Sequence, residues 1–485
     1  MAATGPADGG HRTDDGRRAA GESRAGRDRP GPAGLPDRSL PARTEQARAD
    51  HARAARTALA DFLRESVGID IAVESAFRQV PRHLFVPELQ PQLVYQDESV
   101  VVKVGEDGTP VSSSSQPTMM AIMLDQLGLE RGHRVLEIGA GTGYNAALMA
   151  HIVGEDGSVV TVDIDAELTA RASASLAAAG YGQVRVACAD GGLGFASGAP
   201  YDRIILTVGA WDIAPQWQEQ LAPGGRIVLP LSVRGLQLSL ALDHADGYLT
   251  SRSAVRCGFI RLAGTLAGPE VLVPAGPQPG VRFETDDGRP LDADAVYAAL
   301  TGPAVVVVAD VPEVSGAELS DADLWLTLAE PELVRVSAFG GSAGSPAAGS
   351  PRPFSGLAEA ARADGRLGIA AVALGPAETE AEPGGGLAEA GAAEPGGGGA
   401  GAGLAEPGGG PTALLVRGYG PSGTELAGYL AARAGTWHRL GRPGVADLRL
   451  RVFPAGVPGG SPPDGLDGSM ILRRPGATLA LDWRR

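Results

Sequence analysis

This 485-residue sequence predicts an α/β fold: a doubly wound, mostly parallel sheet followed by a smaller C-terminal α+β domain. Three observations predict it. Between 117 and about 265 the apolar runs "RVLEIG", "GSVVTVDI", "VRVACAD", "YDRIILTVG" and "RIVLPL" alternate with helix-length segments, the order that gives parallel strands covered by helices on both faces. The first of those strands runs through a glycine-rich turn directly into a helix. Past about 270 the runs "AVVVVADV", "LWLTLAEPELVRV", "GIAAVAL" and "ALLVRGYG" are broken by Gly/Pro/Ala-rich tracts, which marks a second unit in a chain too long for one domain.

Residues 1–45 are rich in Gly, Pro, Arg and Asp with almost no large apolar side chains, and read as a disordered tail that cannot offset its ordering entropy. The folded unit is then expected over 46–265. It opens with a helix near 46–67, where Ala55, Leu59, Phe62, Leu63 and Val67 recur at helical spacing and Gly68 stops the run. "DIAVESAFRQV" predicts a short second helix closed by Pro81, leading through "PRHLFVPELQPQLVYQDESVVVK" as a lid or entry segment. "GTPVSSSSQPTMMAIML" follows at 108–124; polyserine commonly marks a linker, yet here it adjoins the most strongly patterned stretch of the chain. Met119, Met120 and Met123 at helical spacing read as core filler. The second unit covers 270–485, interrupted at 376–410 by a flexible insertion with three copies of "EPGGG". After it, Leu426, Leu430, Ala434 and Trp437 share one face of a helix that ends before Gly441.

Composition removes several function classes. The net charge of −16 argues against the basic footprint of a nucleic-acid binder, so a polymeric substrate is expected to be a peptide. No run of about 18 apolar residues is present to span a bilayer. The charged N-terminus lacks the apolar core of a secretory signal, and a cytoplasmic location is expected. Two cysteines, Cys188 and Cys257, make neither a disulfide framework nor a metal site and read as core residues. No metal is expected.

The chemistry is carried by "RVLEIGAGTGYNAALMA", where Gly139, Gly141 and Gly143 lie between a strand and a helix whose free N–H groups face a ligand. The spacing is G-x-G-x-G, with Tyr144 where a dinucleotide fingerprint wants glycine, which makes NAD the weaker choice. Glu137 before the first glycine suits a ligand carrying an amine and a sulfonium, and S-adenosylmethionine has both. Asp163 ends the next strand, placed to accept hydrogen bonds from both ribose hydroxyls, and Asp190 ends the one after, placed toward an adenine amino group. No histidine occupies a strand end, and no cysteine reads as an obvious nucleophile. A carboxylate acceptor explains this, since it is already ionised at neutral pH and requires alignment and desolvation instead of a base. Short hydroxyl side chains can provide that alignment, which gives the serines a role.

Taken together, "AFRQVPRHLFVP", "YQDESVVVK", "SSSSQP", "RVLEIGAGTGYN", "VVTVDID" and "YDRIILTVGAWDIAP" resemble the protein-L-isoaspartate O-methyltransferases over about 70–265. The resemblance implies a Rossmann-like class I methyltransferase fold. It implies hydroxyl contacts to a substrate carboxylate from Ser113 and Ser115, and cofactor contacts from Glu137, Gly139, Gly141, Gly143, Asp163, Asp190 and Gly191. Two departures, the four-serine stretch and the long C-terminal extension, look like the lanthipeptide-associated, FxLD-system branch. That branch implies esterification of an aspartate in a cyclised precursor peptide, giving succinimide and then isoaspartate; the alternative is general repair of isoaspartyl residues, and a non-catalytic cofactor-binding scaffold is a third reading.

Overall fold

The computed structural model describes residues 39–106, 109–245, 247–269, 271–274, 282–285, 292–339, 354–359, 367–376, 412–455 and 470–484. Ala49–Arg485 pack as one compact unit. The expected tail lies outside the described residues up to residue 38, and the expected insertion at 376–410 lies outside them from residue 377 onward.

The chain enters through helix α1 (Ser39–Val67), which starts inside the stretch read as tail, then α2 (Ile71–Gln79) and a short α3 (Pro91–Val94). Asp70 caps α2 by accepting from Ala72 N at 2.7 Å. Leu59, Leu63 and Phe77 of these helices are buried against the methionine-bearing α4 (Pro117–Leu127), where Met119, Met120 and Met123 are core residues. Between α3 and α4, strands β1 (Val100–Val104) and β2 (Pro110–Ser114) form an antiparallel hairpin that is a sheet of its own. The polyserine stretch is therefore a strand. Serine has little intrinsic preference for that state, and pairing with the β-branched Val100 and Val101 supplies it.

The main sheet has ten strands. Its first half is parallel: β3 (Arg134–Ile138), β4 (Ser158–Asp163), β5 (Arg185–Cys188) and β6 (Tyr201–Leu206), with α5 (Tyr144–Val153) and α6 (Ala166–Ala178) as crossovers. After α7 (Pro215–Glu219), β7 (Leu221–Val233) pairs parallel to β6. β8 (Leu236–Ala245) and β9 (Tyr248–Cys257) continue the sheet antiparallel. Arg234 and Gly235 join β7 to β8 with φ of 53° and 78°, the doubly positive pattern whose twist suits a two-residue hairpin.

The second sheet is antiparallel throughout. It contains β10 (Val271–Pro274), β11 (Arg282–Thr285), β12 (Val305–Val308), β13 (Leu333–Phe339), β14 (Phe354–Glu359), β15 (Ile369–Pro376) and β16 (Thr412–Tyr419). Its helices are α8 (Ala293–Thr301), α9 (Gly316–Ala329) and α10 (Gly423–Arg439), and α10 buries Leu426, Leu430, Ala434 and Trp437 as the helical spacing predicts. Asp323 of α9 accepts from Arg256 at 3.0 Å and Arg335 at 2.9 Å, joining β9 to the second sheet.

The boundary near 265–270 does not separate the sheets. β17 (Leu448–Pro454), β18 (Met470–Arg473) and β19 (Ala477–Trp483) return to the main sheet, whose order is β18-β19-β17-β9-β8-β7-β6-β3-β4-β5. β17 pairs with β9 through Arg451 to Thr250 and Val452 to Leu249, and Leu450, Val452, Leu479 and Leu481 share one core with Leu229, Leu240 and Leu249. Burial of those leucines beside β9 makes the C-terminal strands part of the first unit. A second correction concerns Cys188: β5 is the edge strand, so this cysteine is exposed instead of core, while Cys257 is half-buried.

Candidate active site

The parallel strands lie in the order β5-β4-β3-β6-β7, so the crossover direction reverses between β3 and β6 and a crevice opens at their carboxyl ends. The glycine turn fills the β3 side. Gly139, Gly141 and Gly143 have φ of +102°, +49° and +85°, the left-handed region that side chains rarely adopt. A Cβ on Gly139 would lie 2.7 Å from Thr207 Oγ1, and Thr207 donates to the Gly139 carbonyl at 2.6 Å, so the carboxyl end of β6 is bonded to the turn. A Cβ on Gly143 would crowd Leu176 and Ala172 of α6 at 3.2 and 3.3 Å, which makes that glycine a packing residue. One on Gly141 would lie 3.7 Å from the Ser113 carbonyl and 3.8 Å from Ser112 Oγ. The serine strand thus crosses directly over the middle glycine.

The acidic residues divide by what their oxygens already hold. Asp163 is half-buried; Oδ2 accepts from Gly141 N at 3.0 Å and Oδ1 from Asp165 N at 3.1 Å, which shapes the turn and leaves lone pairs for a diol. Asp190 accepts from Gly192 N at 2.8 Å and Thr265 N at 2.9 Å. Burial alone would raise its pKa, but these hydrogen bonds from Thr265 and Gly192 hold it below the usual carboxylate value. The 264–265 segment covers this carboxylate, since a Cβ on Gly264 would meet it at 2.7 Å. Gly191 is a packing position: a Cβ would lie 2.3 Å from Ile138 Cγ2.

Glu137 departs from its expected place. It has no exposed surface, and its carboxylate accepts from Asn145 Nδ2 at 2.8 Å and Thr161 Oγ1 at 2.6 Å. Burial pushes its pKa up to about 7, against the lowering effect of those two donors. Glu137 therefore lies beneath the turn, bridging β3, β4 and α5, and the structure does not bring it to the ligand side.

The hairpin over the turn is fixed from below. Alternation along β2 buries Ser112 and Ser114 and leaves Ser113 half-buried, with Ser115 half-buried beyond the strand. Ser114 Oγ accepts from Arg82 Nη2 at 3.3 Å, and the same nitrogen donates to the Ser115 carbonyl at 3.0 Å and the Glu98 carbonyl at 3.3 Å. Arg82 is fully buried, its guanidinium 5.8 Å from the ring centre of Tyr144, the first residue of α5. Asp97 accepts from Gln116 Nε2 at 2.9 Å, Thr118 N at 2.8 Å and Thr118 Oγ1 at 2.8 Å, and so caps α4 from the preceding segment. Lys103 of β1 binds Asp165 at 2.6 Å and Glu167 at 2.8 Å, latching the hairpin to the start of α6.

The site thus brings together Gly139, Gly141 and Asp163 with the backbone of Ser113 and the hydroxyl of Ser112, whereas Ser115 is placed only through its carbonyl on Arg82; Glu137, Gly143 and Gly191 support the site by packing, and Asp190 is engaged by the 264–265 segment. Sequence reasoning did not single out Arg82, Asp97, Lys103 or Thr207. "VPRHLF" and "YQDES" carry two of them, but a charged residue in a Pro-rich entry segment reads as surface until its burial is known. Ile164 and Leu193, 48 % and 55 % exposed just beyond β4 and β5, are apolar surfaces suited to flank an aromatic base.

Comparison with known proteins follows the same outline. Residues 55–267 match the family described as Protein-L-isoaspartate(D-aspartate) O-methyltransferase. Protein-L-isoaspartate O-methyltransferase 2 of Archaeoglobus fulgidus is 43 % identical over 209 residues, which are 43 % of this chain and 93 % of that one. This chain belongs to the protein-L-isoaspartate O-methyltransferase family. The Thermotoga maritima protein-L-isoaspartate O-methyltransferase is 35 % identical over 207 residues, covering 42 % of this chain and 65 % of its own length. A solved protein-L-isoaspartate O-methyltransferase aligns with 82 % of this chain and 96 % of its own, at 22 % identity and a TM-score of 0.43. Membership makes this protein-L-isoaspartate O-methyltransferase homologue an S-adenosylmethionine-dependent carboxyl O-methyltransferase with the class I methyltransferase fold. The residues present fit that cofactor: a turn with positive φ at Gly139, Gly141 and Gly143, a half-buried Asp163 with acceptor capacity, and an α5 N-terminus whose N-cap, Gly143, makes no side-chain cap. Among the described residues, no group of side chains could hold a metal and no helix is long and apolar enough to cross a membrane.

Proposed function

We propose that this protein methylates the free carboxylate of isoaspartyl residues in peptides and proteins, the ester then collapsing to a succinimide. The observation that carries the reading is the passage of β2 over Gly141 at Ser112 and Ser113, which would hold the serine-rich segment above a cofactor in the turn. The cofactor supplies an electrophilic methyl group on sulfur. Ser113 and Ser115 donate to the acceptor carboxylate and orient one oxygen toward that methyl group. Because the carboxylate enters ionised, no side chain has to remove a proton, consistent with strand ends that offer carboxylates already bonded and no histidine. Arg82 and Asp97 hold the serines in place, and the hairpin with its Lys103 latch excludes water. Ester formation gives the side chain a better leaving group, so the neighbouring amide nitrogen attacks without further help from the protein.

The test is methyl transfer to matched peptides carrying aspartate or isoaspartate at one position, followed by mass spectrometry. Transfer confined to the isoaspartyl peptide supports the reading, and transfer to neither peptide rejects it.

A second reading keeps the chemistry and changes the substrate to an aspartate in a lanthionine-containing precursor peptide. The C-terminal extension favours it, because its last strands are built into the catalytic sheet and so accompany the active site obligatorily. Efficient methylation of a cyclised peptide, with the isoaspartyl peptide ignored, would select this reading over repair.

A further inference from the structure

The turn between β18 and β19 belongs to the C-terminal extension, yet it is bonded to the segment that follows β6, the strand whose carboxyl end meets the glycine turn. Gly476 N donates to Asp212 Oδ2 at 2.6 Å, and Arg474 Nη2 donates to the Ser232 carbonyl at 2.7 Å. The Arg474 guanidinium lies 4.7 Å from the ring centre of Trp211. A Cβ on Gly476 would fall 2.6 Å from the Ile213 carbonyl, so the turn approaches this segment as closely as backbone allows. Asp212 is 2 % exposed and also accepts from Ile213 N at 2.7 Å, which leaves the two segments of the chain locked at this point.

Trp211 itself is half-exposed and wedged. Gly268 packs against it so closely that a Cβ there would meet Trp211 Cβ at 2.6 Å, and Arg474 lies on its ring. It follows Thr207, the residue bonded to Gly139, by four positions, a span of at most about 14 Å. A peptide lying extended with its reacting residue under the serine hairpin advances about 3.3 Å per residue. A residue within about four positions of the reacting one is therefore within reach of Trp211. An indole held rigid from both sides offers a large contact area at little entropic cost.

We infer that the β18–β19 turn is a wall of the peptide-binding crevice, with Arg474 acting as a positioning residue that holds Trp211 against substrate residues within about four positions of the methylated one. The inference rests on the peptide-methylation reading above and adds a length requirement to it. The C-terminal extension thereby selects extended polypeptide over short fragments.

The experiment compares a tripeptide containing isoaspartate with a peptide extending about five residues on either side of it. The full-length protein, Arg474→Leu and Arg474→Lys are each assayed for methyl transfer and for equilibrium binding to the S-adenosylhomocysteine-loaded protein. The parent protein should favour the longer peptide by about fivefold or more in kcat/KM. Arg474→Leu should reduce that advantage to within about twofold, through KM, while the tripeptide and S-adenosylhomocysteine are handled as before. Arg474→Lys, which keeps a cation over the ring, should recover most of the preference. An equal loss on both peptides would mean that Arg474 only supports the fold, and that result, an unchanged variant, or a parent protein with no length preference overturns the inference. If the parent protein transfers no methyl group to either peptide but binds the longer one in an Arg474-dependent way, the isoaspartyl reading fails and the wall stands. Binding that is absent or independent of Arg474 removes the wall.

Discussion

Lys103 Nζ lies 2.6 Å from Asp165 Oδ2, joining the hairpin above the glycine turn to the N-cap of α6, two residues past Asp163. Each partner reinforces the charge of the other: the lysine's pKa is raised by Asp165 and Glu167, and the aspartate's is lowered chiefly by Lys103. The hairpin forms a separate two-stranded sheet, so this latch adds to its anchoring from Arg82. Lys103→Met should speed S-adenosylhomocysteine dissociation by about three- to tenfold, with the difference from the parent shrinking in high salt. Stopped-flow displacement measures it, and identical off-rates would mean that the strand pairing and Arg82 suffice.

Ser115→Ala and Asp163→Ala should separate the two halves of the site. The first should lower kcat by about tenfold or more while S-adenosylhomocysteine affinity holds. The second should weaken that affinity by about tenfold, because it removes a prospective diol acceptor and frees Gly141 N. Titration calorimetry beside initial rates distinguishes them; equal affinity losses would assign the serine to the cofactor or the fold.

Arg82 donates to Ser114 and to the Glu98 and Ser115 carbonyls from full burial, and burial lowers its pKa. Arg82→Met should destabilise the protein by about 3 kcal/mol, since it strands buried acceptors. Arg82→Lys should rescue little, because one ammonium cannot match a planar fork of donors. Denaturant unfolding reads this, and a loss below about 1 kcal/mol would show that water replaces the guanidinium.

Glu137 gives a pH dependence with a defined sign. Its folded pKa of about 7 exceeds the ordinary 4.5, so between these values the folded state holds a proton that the unfolded chain has lost. Stability from this group is therefore complete below about pH 4.5 and falls as pH rises to about 7, by on the order of 3 kcal/mol. Glu137→Gln, a neutral near-isostere, should flatten that slope and be at least as stable as the parent at pH 7. A parent and variant with parallel pH profiles would mean that Glu137 stays ionised in the fold.

Truncation after residue 269 should not leave a working methyltransferase. It would remove β17 from β9 and expose Leu229, Leu240 and Leu249, which share a core with Leu450 and Leu479. The fragment is expected to aggregate or to lose S-adenosylhomocysteine binding; a soluble, active fragment would show that β9 can serve as an edge strand.

Much of the site was legible before any coordinates. Gly139, Gly141 and Asp163 occupy strand-end positions that local pattern alone assigns, because a parallel sheet brings successive carboxyl ends together whatever its details. Glu137 was legible as a residue but not as a role. Its position on β3 places it either toward the ligand or beneath the turn, and Asn145 and Thr161, donors from two other elements, decide for the second. Asp190 keeps its place after β5 and gains a donor from Thr265, a residue far along the chain.

By itself the sequence determined the alternating strands and helices, the glycine turn, the carboxyl-methylating chemistry implied by the family resemblance, and the amphipathic faces of helices such as α10. These follow from periodicity and from backbone conformations that only glycine adopts readily, both local properties. Tertiary structure alone decided that Ser112–Ser114 form a strand over Gly141, that Arg82 anchors them from full burial, and that β17–β19 close the methyltransferase sheet. Each depends on partners distant in the chain: Ser114 needs Val100 and Arg82, and β17 needs the open edge of β9. Side-chain pattern does not encode which edge or acceptor a segment will meet, because that choice is made by the burial and hydrogen bonding of the whole.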